Sequence, residues 1–572
     1  MKNLLLLFLF IGSVASAQTD TSDFIYTLNQ TYTHDQIIKR YARLSHNHPN
    51  KCKIINQGKT DCGKPLHLFV ISENGEFDPV KIKEQKKSIM LINNAIHPGE
   101  PCGVDASYKL AKGIITENKI PKNTVLLIIP MYNVGGANNR SCCSRANQNG
   151  PEMYGFRGNA RNLDLNRDFI KMDSENAKRF VEIFQTWQPH LFIDTHASNG
   201  ADYQHVMTLI NTQLDKLAPR LKTYTSEKLL PYLYHEMQKA NYPMVPYVHV
   251  KGKTPESGII DYLETPRYST GYTTLFNCIG FVSETHMWKP YPDRVKSTFI
   301  LLNKLLNYAD KNASELVMNK NRSDKDVALN QNVDLDWELD TTKFKLIPFQ
   351  GYEAKYKMSE VTGLERMYYD RNAPYIKTIK YYNRYKATLS VEKPKYYVLP
   401  QSWREVVARM QLNGIELIPI NSDTTIEVST YYIKNHDTKN RPYEGHYLHQ
   451  KVEVEKVKQQ LTYFKGDYLV KTGTTKDRFI VETLEPHAVD SYFAWNFFDE
   501  ILQQKEWFSS YIFEEKAMDI LNNSPQLKRE FEAKKKSDKS FAESSWSQLY
   551  FIYTHSPYYE KTHNLYPVSR ID

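Results

Sequence analysis

The sequence is poor in cysteine and has no long apolar stretch beyond its first twenty residues. It contains six cysteines among 572 residues, and no two are spaced as C-x-x-C, which argues against a zinc site built from thiolates. No later segment is long and apolar enough to cross a bilayer, so we expect no stable insertion into a membrane. These absences disfavour thiolate zinc domains and integral membrane proteins.

A strong charge of one sign is also missing. The formal net charge is +9, which is mild for this length, and no long block of Lys and Arg is interleaved with aromatic residues. The longest basic run, Lys534–Lys536, is more simply the solvated end of a helix. We therefore expect no nucleic acid partner.

Three short enzyme motifs are incomplete or absent. Gly58–Lys64 has the spacing of a phosphate loop, but Pro65 stands where Ser or Thr should bind Mg²⁺. His235–Lys239 begins like H-E-x-x-H and lacks the second histidine. A nucleophile elbow of the G-x-S-x-G type does not occur. None of these motifs indicates the function.

The N-terminus has the pattern of a secretory signal peptide. It carries one lysine, an apolar run from Leu4 to Ile11, and a small-x-small end at residues 15–17. We predict cleavage before Gln18 and a secreted or periplasmic protein. Because no cysteine follows this cleavage site, a lipid anchor is not indicated.

An exported chain permits disulfide bonds between its cysteines. Cys52 and Cys62 flank a short turn and could bridge a hairpin. The neighbours Cys142 and Cys143 are not expected to pair with each other. The overall connectivity cannot be deduced from the sequence.

Apolar runs typical of buried strands alternate with amphipathic helical stretches up to about residue 310. In one such stretch, Ser174 is a plausible N-cap for a helix ending at Trp187. The strand-like runs are residues 67–72, 88–96, 124–133, 191–197 and 278–286. This alternation predicts an α/β fold with a mixed, mostly parallel central sheet covered by helices on both faces.

The length favours more than one domain. We predict a signal peptide over residues 1–17, a catalytic domain over 18–310, a polar linker over 311–332, and a C-terminal accessory domain over 333–572. Short alternating stretches followed by amphipathic segments predict β-strands and terminal helices in that last domain. Its role and the oligomeric state of the protein stay open.

Polar residues follow several of the predicted strands. His97 and Glu100 follow the strand over 88–96, His196 ends "LFIDTH", and Glu284 lies at the end of the strand in "GFVSETH". Sites in open α/β sheets gather at the carboxyl ends of the strands. A catalytic zinc takes three His and Asp/Glu ligands and keeps one open position. His97, Glu100 and His196 would satisfy that need, and Glu284 would remain as a general base.

The stretch "RGNARNLDLNRDF" adds donors to this set. Arg157, Arg161 and Arg167 occur there with Asn159 and Asn166. Donors concentrated in a short loop suit an anionic substrate group and a developing oxyanion. A solvated loop rich in arginine is the alternative, and it is less favoured beside the histidines.

Taken together, these residues resemble the zinc carboxypeptidase A family of metallopeptidases. His97-Pro-Gly-Glu100, Arg157-x-Asn159, Asp164-Leu-Asn166-Arg167, His196 and Glu284 occur in that family's order. The resemblance covers roughly residues 25–310. It implies one Zn²⁺ per chain, bound by His97, Glu100 and His196, and a peptide substrate.

The resemblance also implies roles for the remaining residues. Glu284 would activate the attacking water, and Arg157 would polarise the scissile carbonyl. Asn166 and Arg167 would hold the terminal carboxylate of the substrate. Asp164 would accept a hydrogen bond from the ring of His97 and orient it.

Parts of the sequence depart from the family pattern. Asn133 is followed by Val-Gly-Gly instead of Pro-Asp-Gly, and Asp202 and His205 are only candidate pocket residues. For the family's mobile substrate tyrosine, the spacing to Glu284 favours Tyr262, while Tyr268 and Tyr272 compete with it. Arg267 could supply an extra contact to the substrate carboxylate.

We therefore expect a secreted zinc metallocarboxypeptidase acting on peptides or on cell-wall peptides. One alternative is a zinc N-acyl-amino-acid deacylase of the aspartoacylase and succinylglutamate desuccinylase type, which usually has His-Gly-Asn-Glu in place of His97-Pro-Gly-Glu100 and is generally cytoplasmic. A second alternative is a pseudoenzyme that binds peptide or glycan. It is disfavoured because ligands, base and arginines are all present.

Overall fold

The computed structural model describes residues 24–572, so the predicted signal peptide lies outside the described residues. The N-terminal part contains a mixed eight-stranded sheet in the order β1-β2-β4-β3-β5-β10-β6-β7. The strands up to residue 286 are β1 (Cys52–Lys59), β2 (Pro65–Ile71), β3 (Ser88–Asn93), β4 (Thr124–Ile129), β5 (Leu191–Ser198), β6 (Met207–Asn211), β7 (Val245–Pro246), β8 (His249–Val250), β9 (Ile259–Ile260) and β10 (Ile279–His286).

The four central strands β4, β3, β5 and β10 run parallel to one another. Strands β1 and β2 pair antiparallel with their neighbours, and β6 pairs antiparallel with β10 and parallel with β7. Every residue of β3, β4 and β5 is buried. This agrees with their continuous apolar sequences, because a parallel sheet needs cover on both faces. The predicted fold class is confirmed.

Helices lie between these strands along the chain, and α5 begins after Ser174, whose side chain caps it as predicted. The helices up to residue 329 are α1 (His34–Asn47), α2 (Pro79–Glu84), α3 (Cys102–Thr116), α4 (Val134–Asn138), α5 (Glu175–Trp187), α6 (Pro219–Tyr224), α7 (Leu230–Lys239), α8 (Ser269–Thr274), α9 (Tyr291–Lys311) and α10 (Ala313–Leu329). One apolar cluster joins α1, α3, α7 and α9 to one face of the sheet. A second cluster joins α5 and α8 to the other face.

The segment predicted as a polar linker is helical over most of its length, as α10. Its buried stripe includes Leu316, Lys320 and Ser323, and Lys320 donates to the carbonyl of Phe276 in the N-terminal part. The helix was missed because polar residues occupy positions where a helical pattern requires apolar ones. The division into domains at this point stays a prediction.

The C-terminal part combines β-sheets with helices, as predicted. Its strands are β11 (Asn332–Leu339), β12 (Lys345–Met358), β13 (Glu365–Tyr382), β14 (Tyr385–Glu392), β15 (Tyr396–Leu399), β16 (Leu417–Pro419), β17 (Thr424–Thr438), β18 (His449–Tyr463), β19 (Tyr468–Lys471) and β20 (Ser569–Ile571). Its helices are α11 (Arg404–Leu412), α12 (Asp477–Leu484), α13 (Ser510–Asn523), α14 (Pro525–Ser537), α15 (Lys539–Ala542) and α16 (Ser545–Thr554).

Two long hairpins dominate this part, β12–β13 and β17–β18. The first extends a small sheet with β9 and β8 of the N-terminal part, and the second belongs to a six-stranded sheet. The apolar cluster behind α5 and α8 continues into α11 and α12. The two parts of the chain therefore share a core.

The cysteines differ from expectation. Cys142 and Cys143 form a disulfide bond with each other, whereas Cys52 and Cys62 are free thiols. The proposed hairpin bridge is therefore wrong, because the Cys52 side chain is buried against the carbonyls of Leu44 and His48 while Cys62 is exposed. Within residues 24–572, no helix combines the length and apolarity that crossing a bilayer requires.

Candidate active site

The predicted site residues meet at the carboxyl edge of the central parallel strands. In the register of the sheet, Glu284 of β10 lies directly opposite His196 of β5. His97 and Glu100 lie in the turn that follows β3, the neighbour of β5 on its other side. A hydrogen bond from the N–H of Glu100 to the carbonyl of His97 closes this turn at 2.8 Å. Three adjacent strands thus deliver four polar side chains to one place.

One nitrogen or oxygen atom from each of His97, Glu100 and His196 lies within 4.8 Å of the others. Nδ1 of His97 is 3.2 Å from Oε1 of Glu100, and Nδ1 of His196 is 3.3 Å from Oε2 of the same carboxylate. All three residues are buried. Two imidazole nitrogens and a carboxylate therefore converge on a single point.

This donor set fits a zinc ion. Zinc ligands about 2.0–2.2 Å from the ion in a tetrahedral arrangement are about 3.3 Å apart, which matches both distances to Glu100. Nδ1 of His97 is buried and has no hydrogen-bond partner among the described residues. Such an atom costs free energy unless it has a ligand.

Carboxylates orient both histidines from behind. Nε2 of His97 lies 2.9 Å from Oδ1 of Asp164, and Nε2 of His196 lies 3.2 Å from Oδ2 of Asp194. The hydrogen bond between His97 and Asp164 directs Nδ1 of His97 toward the shared point and makes it more basic. Asp194 acts on His196 through its negative charge, which attracts Nε2 and leaves Nδ1 on the side of the shared point. Although burial opposes the shift, His97 and Arg157 hold the pKa of Asp164 well below its usual range.

Glu284 lines the same cavity and lacks a strong partner. Its Oε2 atom is shielded from water and has no hydrogen-bond partner among the described residues. Removal from water, together with the nearby charge of Glu100, raises the pKa of Glu284 to about 8. A cation bound at the His97 cluster would lower this pKa, because it favours the ionised carboxylate.

The loop of arginines is held in place by Asn133. Its side chain accepts from the N–H of Gly136 at 2.8 Å and donates to the carbonyl of Arg157 at 2.9 Å. Gly136 is required there, since a Cβ atom would lie 2.4 Å from the carbonyl oxygen of Phe156. The Val-Gly-Gly sequence after Asn133 therefore still supports the loop.

The cavity has a volume of about 440 Å³. Arg157 contacts Asp164 through Nε at 3.0 Å and keeps nearly half of its side chain exposed. The lining residues are His97, Glu100, Arg145, Ala146, Asn147, Arg157, Asn166, Arg167, His196, Ala197, Ser198, Asn199, Ile210, Tyr247, Tyr262, Glu264, Tyr268, Val282, Glu284 and Met287. Arg161 and Asn159 instead stabilise the loop itself.

The structure separates the three tyrosine candidates. Tyr262 and Tyr268 both line the cavity, and the hydroxyl of Tyr262 donates to that of Tyr268 at 3.3 Å. Tyr272 is fully buried, and its hydroxyl donates to Asn413. Tyr272 is therefore no longer a candidate for the substrate tyrosine, whereas Tyr262 and Tyr268 both remain candidates.

Arg267 points away from the cavity. Its Nε donates to Oδ1 of Asp490 at 2.8 Å, and its backbone N–H donates to Oδ2 at 3.0 Å. Only 11% of its side chain is exposed. Asp490 occupies this guanidinium, so Arg267 has no free donor group directed at the cavity, and its predicted contact with the substrate carboxylate stays without support from the structure.

Asp202 and His205 also lie outside the cavity. Asp202 accepts from Nε of Arg371 at 2.7 Å, and Nε2 of His205 accepts from the N–H of Gln350 at 3.3 Å. Both partners belong to the β12–β13 hairpin. These residues therefore attach that hairpin to the N-terminal part.

Sequence reasoning missed three residues of the site. Nη1 of Arg145 donates to Oε1 of Glu100 at 2.8 Å, and Asp194 orients His196. Glu264 is a buried carboxylate that lines the cavity and accepts from Thr270; burial raises its pKa to about 7. Asp194 could have been found from "LFIDTH", because residues two apart on a strand share a face. Arg145 and Glu264 lie in loops without a recognisable pattern.

Residues 37–261 match the model of the zinc carboxypeptidase family. Together with the His97, Glu100 and His196 cluster, this match defines a zinc metallopeptidase. Over residues 37–261 the chain is thus similar to the zinc carboxypeptidase family, in agreement with the resemblance of its motifs.

Curated relatives and solved structures are also similar to this chain. Carboxypeptidase 2 of Trichophyton tonsurans is 22% identical over 453 residues, which cover 74% of this chain and 78% of the relative. Carboxypeptidase 2 of Trichophyton rubrum is 21% identical, with coverages of 76% and 78%. A metallo-carboxypeptidase from Burkholderia cenocepacia aligns with a TM-score of 0.37 and 15% identity over 49% of this chain and 70% of its own.

Proposed function

We propose that this protein removes single residues from the C-terminus of peptides. The supporting observation is that Asn166 and Arg167 line the same cavity as the metal-binding cluster and Glu284. An anion-binding pair beside the reacting centre suits a substrate that ends in a free carboxylate.

Asn166 and Arg167 bind and orient the substrate in this proposal. Charge-assisted hydrogen bonds from the guanidinium fix the terminal carboxylate, so the last peptide bond lies next to Glu284. Tyr262 and Tyr268 form part of the wall around the bound residue. Either hydroxyl can donate to the substrate.

Glu284 moves the proton. It takes a proton from the attacking water while the water oxygen bonds to the carbonyl carbon, and it passes that proton to the nitrogen of the breaking C–N bond. The charge of a cation bound at the His97 cluster would keep Glu284 ionised and thus able to accept this proton. Arg157 donates to the carbonyl oxygen as negative charge develops there. A zinc ion, when bound, supplies Lewis acidity that polarises this carbonyl and makes water easier to deprotonate.

His97, Glu100 and His196 would hold one zinc ion per chain. Metal analysis of the purified protein by mass spectrometry should give a zinc to chain ratio near one. A protein that is fully active after complete metal removal would contradict the proposal.

The test of the reaction is a mass-spectrometric screen of peptides, N-acyl-amino acids and muropeptides, with and without a chelator. We expect chelator-sensitive loss of single C-terminal residues. Release of an acyl group would support the deacylase alternative instead. Cleavage only at internal bonds would contradict the exopeptidase proposal.

We also propose export from the cell, on the basis of the N-terminal pattern from Met1 to Ala17. N-terminal sequencing of the protein recovered outside the cytoplasm should begin at Gln18. Recovery of the intact N-terminus from the cytoplasmic fraction would contradict export.

A further inference from the structure

The turn that joins β17 to β18 reaches from the C-terminal part to the active-site loop. The hydroxyl of Tyr443 accepts from Nε of Arg167 at 3.0 Å. Oε2 of Glu444 accepts from the backbone N–H of Asp164 at 2.7 Å. These pairs are 276 and 280 residues apart in sequence, so only the tertiary fold brings them together.

Glu444 adopts an unfavourable backbone conformation at this contact. The N–H of Tyr443 donates to the carbonyl of His446 at 2.7 Å, and the reverse bond is 3.1 Å long. The two residues between them, Glu444 and Gly445, have φ values of 50° and 84°. A two-residue turn of this kind favours Asn, Asp or Gly at both positions, and glutamate is uncommon there. Residues held in such conformations tend to occur at functional sites.

The turn is firmly attached on both sides of Glu444. Nε2 of His446 lies 2.7 Å from Oδ2 of Asp173. The ring of Tyr443 stacks on the fully buried Trp495, with 6.1 Å between centroids and 19° between planes. The turn therefore presents Tyr443 and Glu444 from a fixed position.

Both contacts act on groups that the proposed reaction uses. The guanidinium of Arg167 lies over the ring of Tyr268 at 4.4 Å, and its Nη1 donates to the carbonyl of Asn166 at 2.9 Å. The Tyr443 hydroxyl is the third contact that sets the plane of this guanidinium. Asp164, fixed by Glu444, in turn contacts Nε2 of His97.

We propose that Tyr443 and Glu444 are positioning residues of the active site, supplied by the C-terminal part. Neither lines the cavity, so they act through Arg167 and through Asp164 and His97. The role of Tyr443 rests on the proposed function, because it needs Arg167 to bind the substrate carboxylate. The role of Glu444 rests on the metal-binding cluster alone.

For Tyr443, the test is Tyr443→Phe, which removes the hydroxyl and keeps the ring on Trp495. We expect KM for a peptide with a free C-terminal carboxylate to rise about tenfold, because a hydrogen bond to a charged group is lost, while kcat changes less than twofold. Tyr447→Phe is the matched control, since Tyr447 lies on the same turn region and is half exposed. A KM for Tyr443→Phe within twofold of the control would overturn this role.

For Glu444, the test compares Glu444→Ala and Glu444→Gln with the exposed Glu453→Ala on β18. The readout is the rate at which the zinc-loaded protein releases zinc to a chromogenic chelator. We expect about tenfold faster release from Glu444→Ala, as for loss of support behind a metal ligand. Glu444→Gln keeps an acceptor oxygen and should stay near the control.

Thermal unfolding of each variant completes the test, because a packing defect would lower the midpoint of Glu444→Ala below that of Glu453→Ala, whereas loss of the contact to Asp164 alone should speed zinc release at a similar midpoint. Equal zinc release from Glu444→Ala and Glu453→Ala would overturn the role of Glu444. A wild-type protein that cleaves no peptide would refute the proposed function, and zinc release would still decide the role of Glu444. If the wild-type protein cleaves peptides, and neither the KM of Tyr443→Phe nor the zinc release of Glu444→Ala differs from its control, the inference is refuted and the proposed function stands.

Discussion

The two parts of the chain contribute to the site in different ways. Every residue that lines the cavity lies between His97 and Met287. Residues 333–572 line none of it, yet Tyr443, Glu444 and Asp490 hold Arg167, Asp164 and Arg267 in place. The N-terminal part thus supplies the reactive groups, and the C-terminal part supplies some of the contacts that hold them in place.

The other long hairpin supports a second edge of the site. Tyr381 and Tyr382 of β13 pair with β9, and the carbonyl of Tyr382 accepts from the N–H of Asp261 at 2.8 Å. Tyr262, which lines the cavity, follows directly. The C-terminal part therefore fixes both the arginine loop and the tyrosine segment, and we expect the two parts to fold as one unit.

The largest effect should come from the reactive groups. His196→Ala removes one of three ligands, and we expect it to abolish zinc binding and peptide cleavage together. Metal content and cleavage rate measure this result, with the exposed His235→Ala as the control. Retention of one zinc per chain in His196→Ala would contradict the ligand set.

Glu284→Gln should separate metal binding from catalysis. The amide cannot accept the proton of water, so we expect kcat to fall by about 10²–10⁴-fold or more, while one zinc per chain is retained. Steady-state kinetics and metal analysis give the two values. If kcat stayed within tenfold of the wild type, another residue would have to be the base.

The division of the site between the N-terminal and C-terminal parts also explains which of its features could be predicted from the sequence. The apolar runs over β3, β5 and β10 predict parallel strands, and parallel strands bring His97, His196 and Glu284 to one edge. The contacts of Tyr443 and Glu444 join residues almost 280 positions apart, and no local pattern records them. The pairing of Arg267 with Asp490 could not be predicted for the same reason, because Asp490 lies in the other part of the chain.

The wrong predictions for helix α10 and for the cysteines have local causes. Helix α10 buries Lys320 and Ser323, so its stripe looks polar in the sequence. Cys142 and Cys143 pair despite being neighbours, against the usual separation of bonded cysteines. The free Cys52 is buried against α1, which the spacing to Cys62 could not indicate.

The ion pair between Arg267 and Asp490 links the two parts of the chain, and a substitution of Asp490 removes it. This carboxylate is buried, pairs with Arg267, and accepts from Nε1 of Trp495 at 3.1 Å. Asp490→Ala leaves the Arg267 charge buried without compensation, which should lower the free energy of unfolding by about 3–5 kcal/mol. Urea unfolding measures the change, with the exposed Glu416→Ala as the control.

The double variant Arg267→Met with Asp490→Leu should recover much of this stability, since apolar residues often replace a buried ion pair without loss. If Asp490→Ala were as stable as Glu416→Ala, the ion pair would not hold the parts together. If only one part unfolded in Asp490→Ala, the shared core would not make them one unit.

The smallest effect concerns a buried carboxylate of the N-terminal part. Asp105 accepts from Thr31 and Tyr291 at 2.6 Å each, and burial raises its pKa from 3.8 to about 7. Between these values the folded protein holds one proton more than the unfolded chain. The free energy of unfolding should therefore fall as the pH rises, by up to about 1.4 kcal/mol per pH unit.

Asp105→Asn removes this titration, so the difference in stability between variant and wild type should grow in the variant's favour from pH 4 to 7. Five of the seven tryptophans lie after residue 333, and their fluorescence mainly reports the C-terminal part. If the two parts unfold as one unit, this fluorescence must show the pH dependence set by Asp105. The unfolding midpoint measured by fluorescence could be the same in Asp105→Asn and wild type while the midpoint measured by circular dichroism of the whole chain differs. That result would mean that the C-terminal part unfolds independently.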